Sequence, residues 1–389
     1  MELKNIMSMQ SDKTLNKNNK KTRHATVASC YVAGRSGGHI IPALTLAQEW
    51  SESQKKINPT SSTRILFFST DTQLDTTIVK NNNIVTDYVA MPLDNIPSKN
   101  PFAWCLYSIK MLISLVKSFY FLYKIQPQKI VSTGGYLAIP VCIAGKILRI
   151  PIELYELNVI PGRSIKFLAP LATTIFICFE KTKKYFPKKN CRLTSYPIRF
   201  NHALLSPTFN DKAKLLRSFG LEPDRKTIFI LGGSQGSLFI NKTIKRWLEN
   251  TPHLHEQIQI IHQTGSHDRT DWEEFYYNFN IPALLFAYHH EPEKLYAVAD
   301  LIICRSGAGT LFEIAFFNKQ CITIPLETAQ NYHQVQNGKT VAELWPDLVT
   351  VIRQKEIETH PQELYTAIES ELYKTAFVQH TVKNMSIKL

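Results

Sequence analysis

The chain has 389 residues, 44% of them apolar and 20% charged, with 45 Lys and Arg against 32 Asp and Glu for a formal charge of +13. That length predicts two or three domains, and the composition excludes a wholly disordered chain, a collagen-like chain and a polytopic membrane protein. Seven scattered cysteines with no Cys-x-x-Cys argue against a disulfide framework or a zinc module and fit a reducing compartment. The charge is local. Residues 99–199 carry sixteen Lys and Arg against three acids, a surplus of +13 that equals the net charge of the whole chain. Such a concentration points to an anionic partner: nucleic acid, a phosphorylated substrate or a membrane surface.

In chain order, residues 1–24 are rich in Asn, Lys and Ser and read as a disordered basic tail. They hold no apolar run of signal-peptide length, so the expected location is the cytoplasm. From Ala25 onward, short apolar or β-branched runs alternate with helical stretches. Strands are predicted at Thr26–Val32, Arg64–Ser69, Lys129–Ser132, Ile152–Tyr155, Thr174–Cys178, Thr227–Leu231, Gln259–Gln263, Leu284–Ala287, Leu301–Cys304 and Cys321–Ile324. The alternation predicts an α/β fold with parallel sheets and crossover helices. Leu193–Lys212, with Pro197 and Pro207, is the expected interdomain linker.

Pro101–Tyr123 is the most apolar stretch, but Lys110 and Lys117 interrupt it and leave only six uncharged residues between them. Lys110, Lys117 and Lys124 recur every seven residues, near one helical face. Trp104, Leu106, Tyr107, Met111, Leu112, Leu115, Phe119 and Phe121 occupy the others. Two readings stay open: a helix packed on a sheet that touches lipid with Trp104 and its lysines, or a crossover helix with solvated lysines.

Three glycine clusters follow predicted strands: Gly34-Arg35-Ser36-Gly37-Gly38-His39, Ser132-Thr133-Gly134-Gly135-Tyr136 and Gly232-Gly233-Ser234-Gln235-Gly236. Glycine lets backbone amides approach an anion, and the following helix adds the positive end of its dipole. None has the spacing of a dinucleotide fingerprint or a P-loop. Three together predict a phosphate-rich ligand or two such ligands. His39, beside Gly38 at a helix start, is the acid/base candidate. Glu156, Asn158, Arg199, Arg305, Glu313, His333 and Gln334 are further polar candidates. With dispersed histidines and no Asp-x-Asp, no metal site is expected.

Taken together, Gly34–Pro42, Gly134–Pro140, Ile150–Gly162, Pro197–Arg199, Gly232–Asn241, His262–Gly265, Tyr296–Glu313 and His333–Asn337 resemble the bacterial peptidoglycan glycosyltransferases of family 28 in order and spacing. These move N-acetylglucosamine from UDP-N-acetylglucosamine to undecaprenyl-diphospho-muramoyl-pentapeptide, turning lipid I into lipid II. The resemblance implies a GT-B fold, two Rossmann-like domains with parallel sheets facing a central cleft. Residues 25–198 would face the acceptor and membrane, 199–370 would bind the UDP-sugar, and a C-terminal helix over 371–389 would return to the first domain.

Carried over by motif, Ser36, Gly37 and Gly38 would line the cleft near the diphosphates, with Gly134, Gly135 and Tyr136 as the acceptor-diphosphate loop. Asn158 and Gln334 would contact the sugar. Arg199 and Ser234 would bind the uridine diphosphate, and the His289 backbone would read uracil. The turn Ala308, Gly309, Thr310, Leu311 and Phe312 would flank the phosphates, Glu313 would hold the ribose, and His39 would be the base. The family implies no cofactor, only the donor substrate. It implies the cytoplasmic face of an anionic inner membrane, cell-wall and division proteins as neighbours, and no nucleic acid. The chain departs from the family at Arg35 and Ser132 (both glycine there), Leu157 (glutamine), Tyr196 (asparagine), Gly309 (a bulkier residue) and His289 (an aliphatic one). Those departures keep two alternatives in view: a GT-B transferase with another acceptor, and a nucleotide-sugar-binding protein without catalysis.

Overall fold

Alternating apolar runs and helices build two all-parallel sheets. The computed structural model describes residues 26–93, 97, 100–205, 211–233, 236–265, 267–287, 289, 291–328 and 332–374. The tail 1–24, Ser234 and the expected C-terminal helix beyond residue 374 lie outside them.

The first sheet holds β1 (Thr26–Val32), β2 (Ser62–Thr70), β3 (Asp87–Met91), β4 (Ile130–Ser132), β5 (Ile152–Glu156), β6 (Thr174–Ile177) and β7 (Cys191–Leu193). Its spatial order is β3-β2-β1-β4-β5-β6-β7. Helices α1 (Gly37–Ile57), α2 (Gln73–Lys80), α3 (Pro101–Ile125), α4 (Ala138–Ile147) and α5 (Arg163–Leu168) connect the strands. The second sheet holds β8 (Lys226–Leu231), β9 (Ile258–Gln263), β10 (Ala283–Phe286), β11 (Leu301–Cys304), β12 (Gln320–Thr323) and β13 (Val349–Val351), in the order β10-β9-β8-β11-β12-β13. Its helices are α6 (Lys212–Ser218), α7 (Leu238–Asn250), α8 (Trp272–Asn278), α9 (Pro292–Val298), α10 (Ala308–Phe316), α11 (Tyr332–Leu344), α12 (Gln354–Thr359) and α13 (Pro361–Tyr373).

Both sheets therefore follow the doubly wound order, which reverses between the first and fourth strands of each and opens a crevice at their carboxyl ends. This is the two-Rossmann arrangement of a GT-B fold. The central strands are buried on both faces, so β1 reads as a nearly continuous apolar run. Tyr31 and Ala33 join a core under α1 that continues into the second domain. Cys30 and Val32 join another core, under α3 and α4.

The sequence missed β3, β7 and β13. All three are edge strands of five, three and three residues. An edge strand has a neighbour on one side only, so its sequence need not be uniformly apolar.

Helix α3 corrects the expected lysine face. Tyr107, Met111, Leu115 and Phe121 pack on the first domain's core. Lys117 follows them inward, and its ammonium donates to the Ala90 carbonyl at 2.6 Å. Lys110 is half-buried, and only Lys124 of the three is exposed. The outward face is apolar instead: Phe102, Leu106, Ile109, Ile113, Val116, Tyr120 and Tyr123 form one ridge at alternating spacings of four and three, flanked by Trp104, Leu112 and Phe119.

Candidate active site

The loops after β1, β4, β8 and β11 converge where the two strand orders reverse, so the first and third glycine clusters border one cleft and the second stands behind the first. In the first, Gly37 and Gly38 open α1, and Ser36 stands at its N-cap. Arg35 takes φ +66°, the left-handed region that explains a glycine in the family pattern. Asp75 holds this turn. Its buried carboxylate accepts from the Arg35 amide at 3.0 and 2.9 Å, from the Ser69 hydroxyl at 2.9 Å and from the Thr70 amide at 3.1 Å. The sequence reading did not single out Asp75.

His39 is clamped by Thr133 of the second cluster. Its Nδ1 lies 2.8 Å from the Thr133 carbonyl, and the Thr133 hydroxyl donates to the His39 carbonyl at 2.9 Å. A carbonyl only accepts, so Nδ1 carries the proton and Nε2 keeps its lone pair. Burial lowers the imidazole's pKa below its usual 6.5, against an upward push from the Thr133 bond, and a smaller repulsion from His333 adds to the lowering. Gly134 lies behind this ring with φ +108°, and a Cβ there would stand 3.4 Å from His39 Cε1. Gly134 thus backs His39, and Gly134, Gly135 and Tyr136 are not among the residues lining the two cavities described next. The Tyr136 hydroxyl accepts from Arg35 Nη1 at 2.8 Å, tying the two loops together.

The cleft consists of two adjoining cavities. One is lined by Arg199, Phe229, Gln263, Phe286, His289, Tyr296 and Glu313. Here Glu313 accepts from Arg199 Nε and Nη2 at 2.9 and 3.3 Å and from the Tyr296 hydroxyl at 2.9 Å. Arg199 in this structure therefore braces Glu313. The His289 ring accepts from the Glu291 amide and meets Phe286 edge-on at 5.3 Å. Tyr296 carried no signal of its own beyond lying in a matching segment.

The other cavity is lined by Ser36, His39, Leu157, Asn158, Arg305, Ala308, His333 and Gln334. Arg305 donates to the Ser237 hydroxyl at 3.1 and 2.8 Å and to the carbonyls of Ile324 and Pro325. Burial lowers its pKa to about 10, so it stays cationic at neutral pH. Of the turn Ala308–Phe312, residues 308 to 310 line the cavities. Leu311 and Phe312 are buried in the core, 0% and 3% exposed, because α10 turns them toward it. The Gln334 side chain accepts from the Leu326 amide at 3.0 Å.

Asn158 belongs to a buried network that joins the domains. Asn337 Nδ2 donates to Asn158 Oδ1 at 3.0 Å, and Asn337 Oδ1 accepts from the Val159 amide at 3.0 Å. Glu156 accepts from the Asn158 and Gly162 amides at 2.8 and 2.9 Å. Burial nonetheless pushes its pKa up to about 7, with those bonds pulling the other way. Among the described residues, no three His, Cys, Asp or Glu side chains converge as a metal site.

Comparison with known proteins agrees with this geometry. Residues 31–177 match the glycosyltransferase family 28 N-terminal domain, and residues 227–387 match its C-terminal domain. The chain is 34% identical over 332 residues to the UDP-N-acetylglucosamine–N-acetylmuramyl-(pentapeptide) pyrophosphoryl-undecaprenol N-acetylglucosamine transferase of Protochlamydia amoebophila, covering 83% of this chain and 82% of the relative. It is 30% identical over 311 residues to the enzyme of the same name from Carboxydothermus hydrogenoformans, covering 79% and 80%. The crystal structure of Acinetobacter baumannii MurG superposes with a TM-score of 0.62 at 21% identity, covering 89% of this chain and 91% of that one. With both family domains matched in order across most of its length, the chain belongs to glycosyltransferase family 28.

Proposed function

We propose that this chain transfers N-acetylglucosamine from UDP-N-acetylglucosamine to the muramoyl 4-hydroxyl of undecaprenyl-diphospho-muramoyl-pentapeptide, the reaction for which its relatives are named. The observation that carries it is a neutral, clamped His39 on the first-domain wall of a cleft whose opposite wall is built from the loops after β8 and β11. Residues through 198 form the acceptor side, and residues 199–370 hold the nucleotide.

The nucleoside lies in the cavity of Phe286, His289 and Glu313, where the carboxylate accepts from ribose hydroxyls. The sugar lies toward Asn158 and Gln334. His39 Nε2 removes the proton as the acceptor oxygen attacks the sugar's anomeric carbon from the face opposite UDP. The bond to the diphosphate breaks, and its new negative charge meets the N-terminus of α10 and the Arg305 guanidinium. Configuration inverts in this single displacement. No cofactor is invoked.

The apolar ridge of α3 supports a second element of this reading: peripheral attachment to the cytoplasmic face of the membrane, where the acceptor's lipid resides. By length and composition α3 could also cross a bilayer. Its inner face, however, is packed on the core of the first domain. Incubating the protein with labelled UDP-N-acetylglucosamine and a lipid I analogue tests the whole proposal, and labelled disaccharide lipid is the expected product. UDP binding without any transfer would favour the non-catalytic alternative.

A further inference from the structure

Two departures from the family pattern, far apart in the sequence, meet in the cleft. We propose that Tyr196 donates a hydrogen bond to the diphosphate of the bound nucleotide-sugar, and that Gly309 makes the room it needs. This inference rests on the nucleotide-sugar reading above.

The two cavities share Gly38, Tyr196, Leu231, Gly233, Gly309 and Thr310. A ligand with its nucleoside in one cavity and its sugar in the other places the linking diphosphate against this shared wall. The wall is almost bare of polar side chains, so the Tyr196 phenol and the Thr310 hydroxyl are what it offers beyond backbone amides. The Tyr196 ring is 7% exposed and stacks on Phe312 with centroids 4.8 Å apart and planes 18° apart. Phe179 packs on the same Phe312 ring at 5.3 Å. The phenol is thus held in place before any ligand arrives.

Its oxygen ends over the first turn of α10. A Cβ at residue 309 would lie 2.9 Å from that oxygen and 3.7 Å from the ring carbon bearing it. A larger residue at 309 therefore collides with a ring that has nowhere to move. Among the described residues, nothing hydrogen-bonds the Tyr196 hydroxyl, nor is its oxygen sealed from solvent. An otherwise buried tyrosine usually finds a partner for its hydroxyl, and here the ligand supplies one. Phosphate oxygens only accept, so the phenol must donate. Burial raises its pKa, which keeps that proton in place. The helix N-terminus beneath favours the same anion.

The test is calorimetric titration of the full chain with UDP and with uridine, which lacks the phosphates. Tyr196→Phe keeps the ring and is expected to weaken UDP roughly tenfold, as for loss of one hydrogen bond to a charged group, while leaving uridine within about twofold. Gly309→Leu is expected to weaken UDP more than that, and adding Tyr196→Asn, which removes the colliding ring, is expected to bring the loss back to about that of Tyr196→Phe. Unchanged UDP affinity in Tyr196→Phe overturns the proposal, as do equal losses for UDP and uridine. Additive effects of the 196 and 309 substitutions overturn the pairing. A wild-type chain that binds UDP not at all overturns the nucleotide-sugar reading itself, and this inference with it.

Discussion

The two domains repeat one strand order beneath different surfaces. In the first, residues 99–199 hold a +13 surplus, and α3 turns ten large apolar side chains outward. In the second, α7, α8 and α13 turn Trp247, Tyr276 and Leu364 inward to a closed core, and residues 200–389 carry eighteen Lys and Arg against twenty-one acids. The shared topology puts glycine-rich loops at equivalent places, so the scaffold alone does not say which domain takes which substrate. The surfaces do. A lipid-linked acceptor suits the apolar, basic half, and a soluble nucleotide suits the near-neutral half.

The sharpest way to break that division is to disable each side separately. His39→Ala is expected to lower transfer by about 10²–10⁴-fold, the usual span for a general base, while UDP affinity stays within about twofold. A parallel loss of UDP binding would put His39 on the donor side and dissolve the comparison. Next in size is Glu156, on the first domain but in contact with Asn158 of the interdomain network. Its pKa is raised from 4.5 to about 7 on folding, so the folded chain holds this proton more tightly than the unfolded one. The stabilisation is present below about pH 4.5 and is lost as pH rises through about 7, on the order of 3 kcal/mol. Glu156→Gln is expected to flatten this part of the dependence of Tm on pH between 5 and 8, and an unchanged slope would show that the carboxyl is already ionised in the fold.

Glu313→Ala removes the acceptor shared by Arg199 and Tyr296, and is expected to weaken UDP by about tenfold. A loss confined to transfer, with UDP affinity intact, would move Glu313 out of the nucleoside cavity. The smallest effect is expected on α3. Ile113→Glu with Val116→Glu should lower co-sedimentation with anionic vesicles several-fold and leave transfer to a water-soluble acceptor analogue unchanged. Undiminished vesicle binding would mean that the basic surface alone makes the contact.

Much of this was legible in the residues. Ten strands and the glycine loops stand out because central parallel strands are buried on both faces and the turns after them need glycine. What escaped depends on neighbours that one sequence does not display. The edge strand Asp87–Met91 has too little apolar pattern to announce itself. Lysines spaced by seven do share a helical face, but spacing cannot say whether that face looks out or in, and Lys117 finds the Ala90 carbonyl. Asp75, and Asn337 at the end of a matching segment that gave it no role, act through buried hydrogen bonds to backbone amides, which a sequence does not display. Tyr196 and Gly309 each read as a single oddity until the fold set one over the other.

The ridge on α3 also bears on how the rate should be measured. A helix of 25 residues is about 37 Å long at ~1.5 Å per residue, a keel that, once seated in a lipid surface, confines the search for the acceptor to two dimensions while the donor still arrives from three. The saturating variable for the acceptor then becomes its mole fraction in the surface. Adding inert lipid at fixed total acceptor should slow turnover, and adding buffer should not.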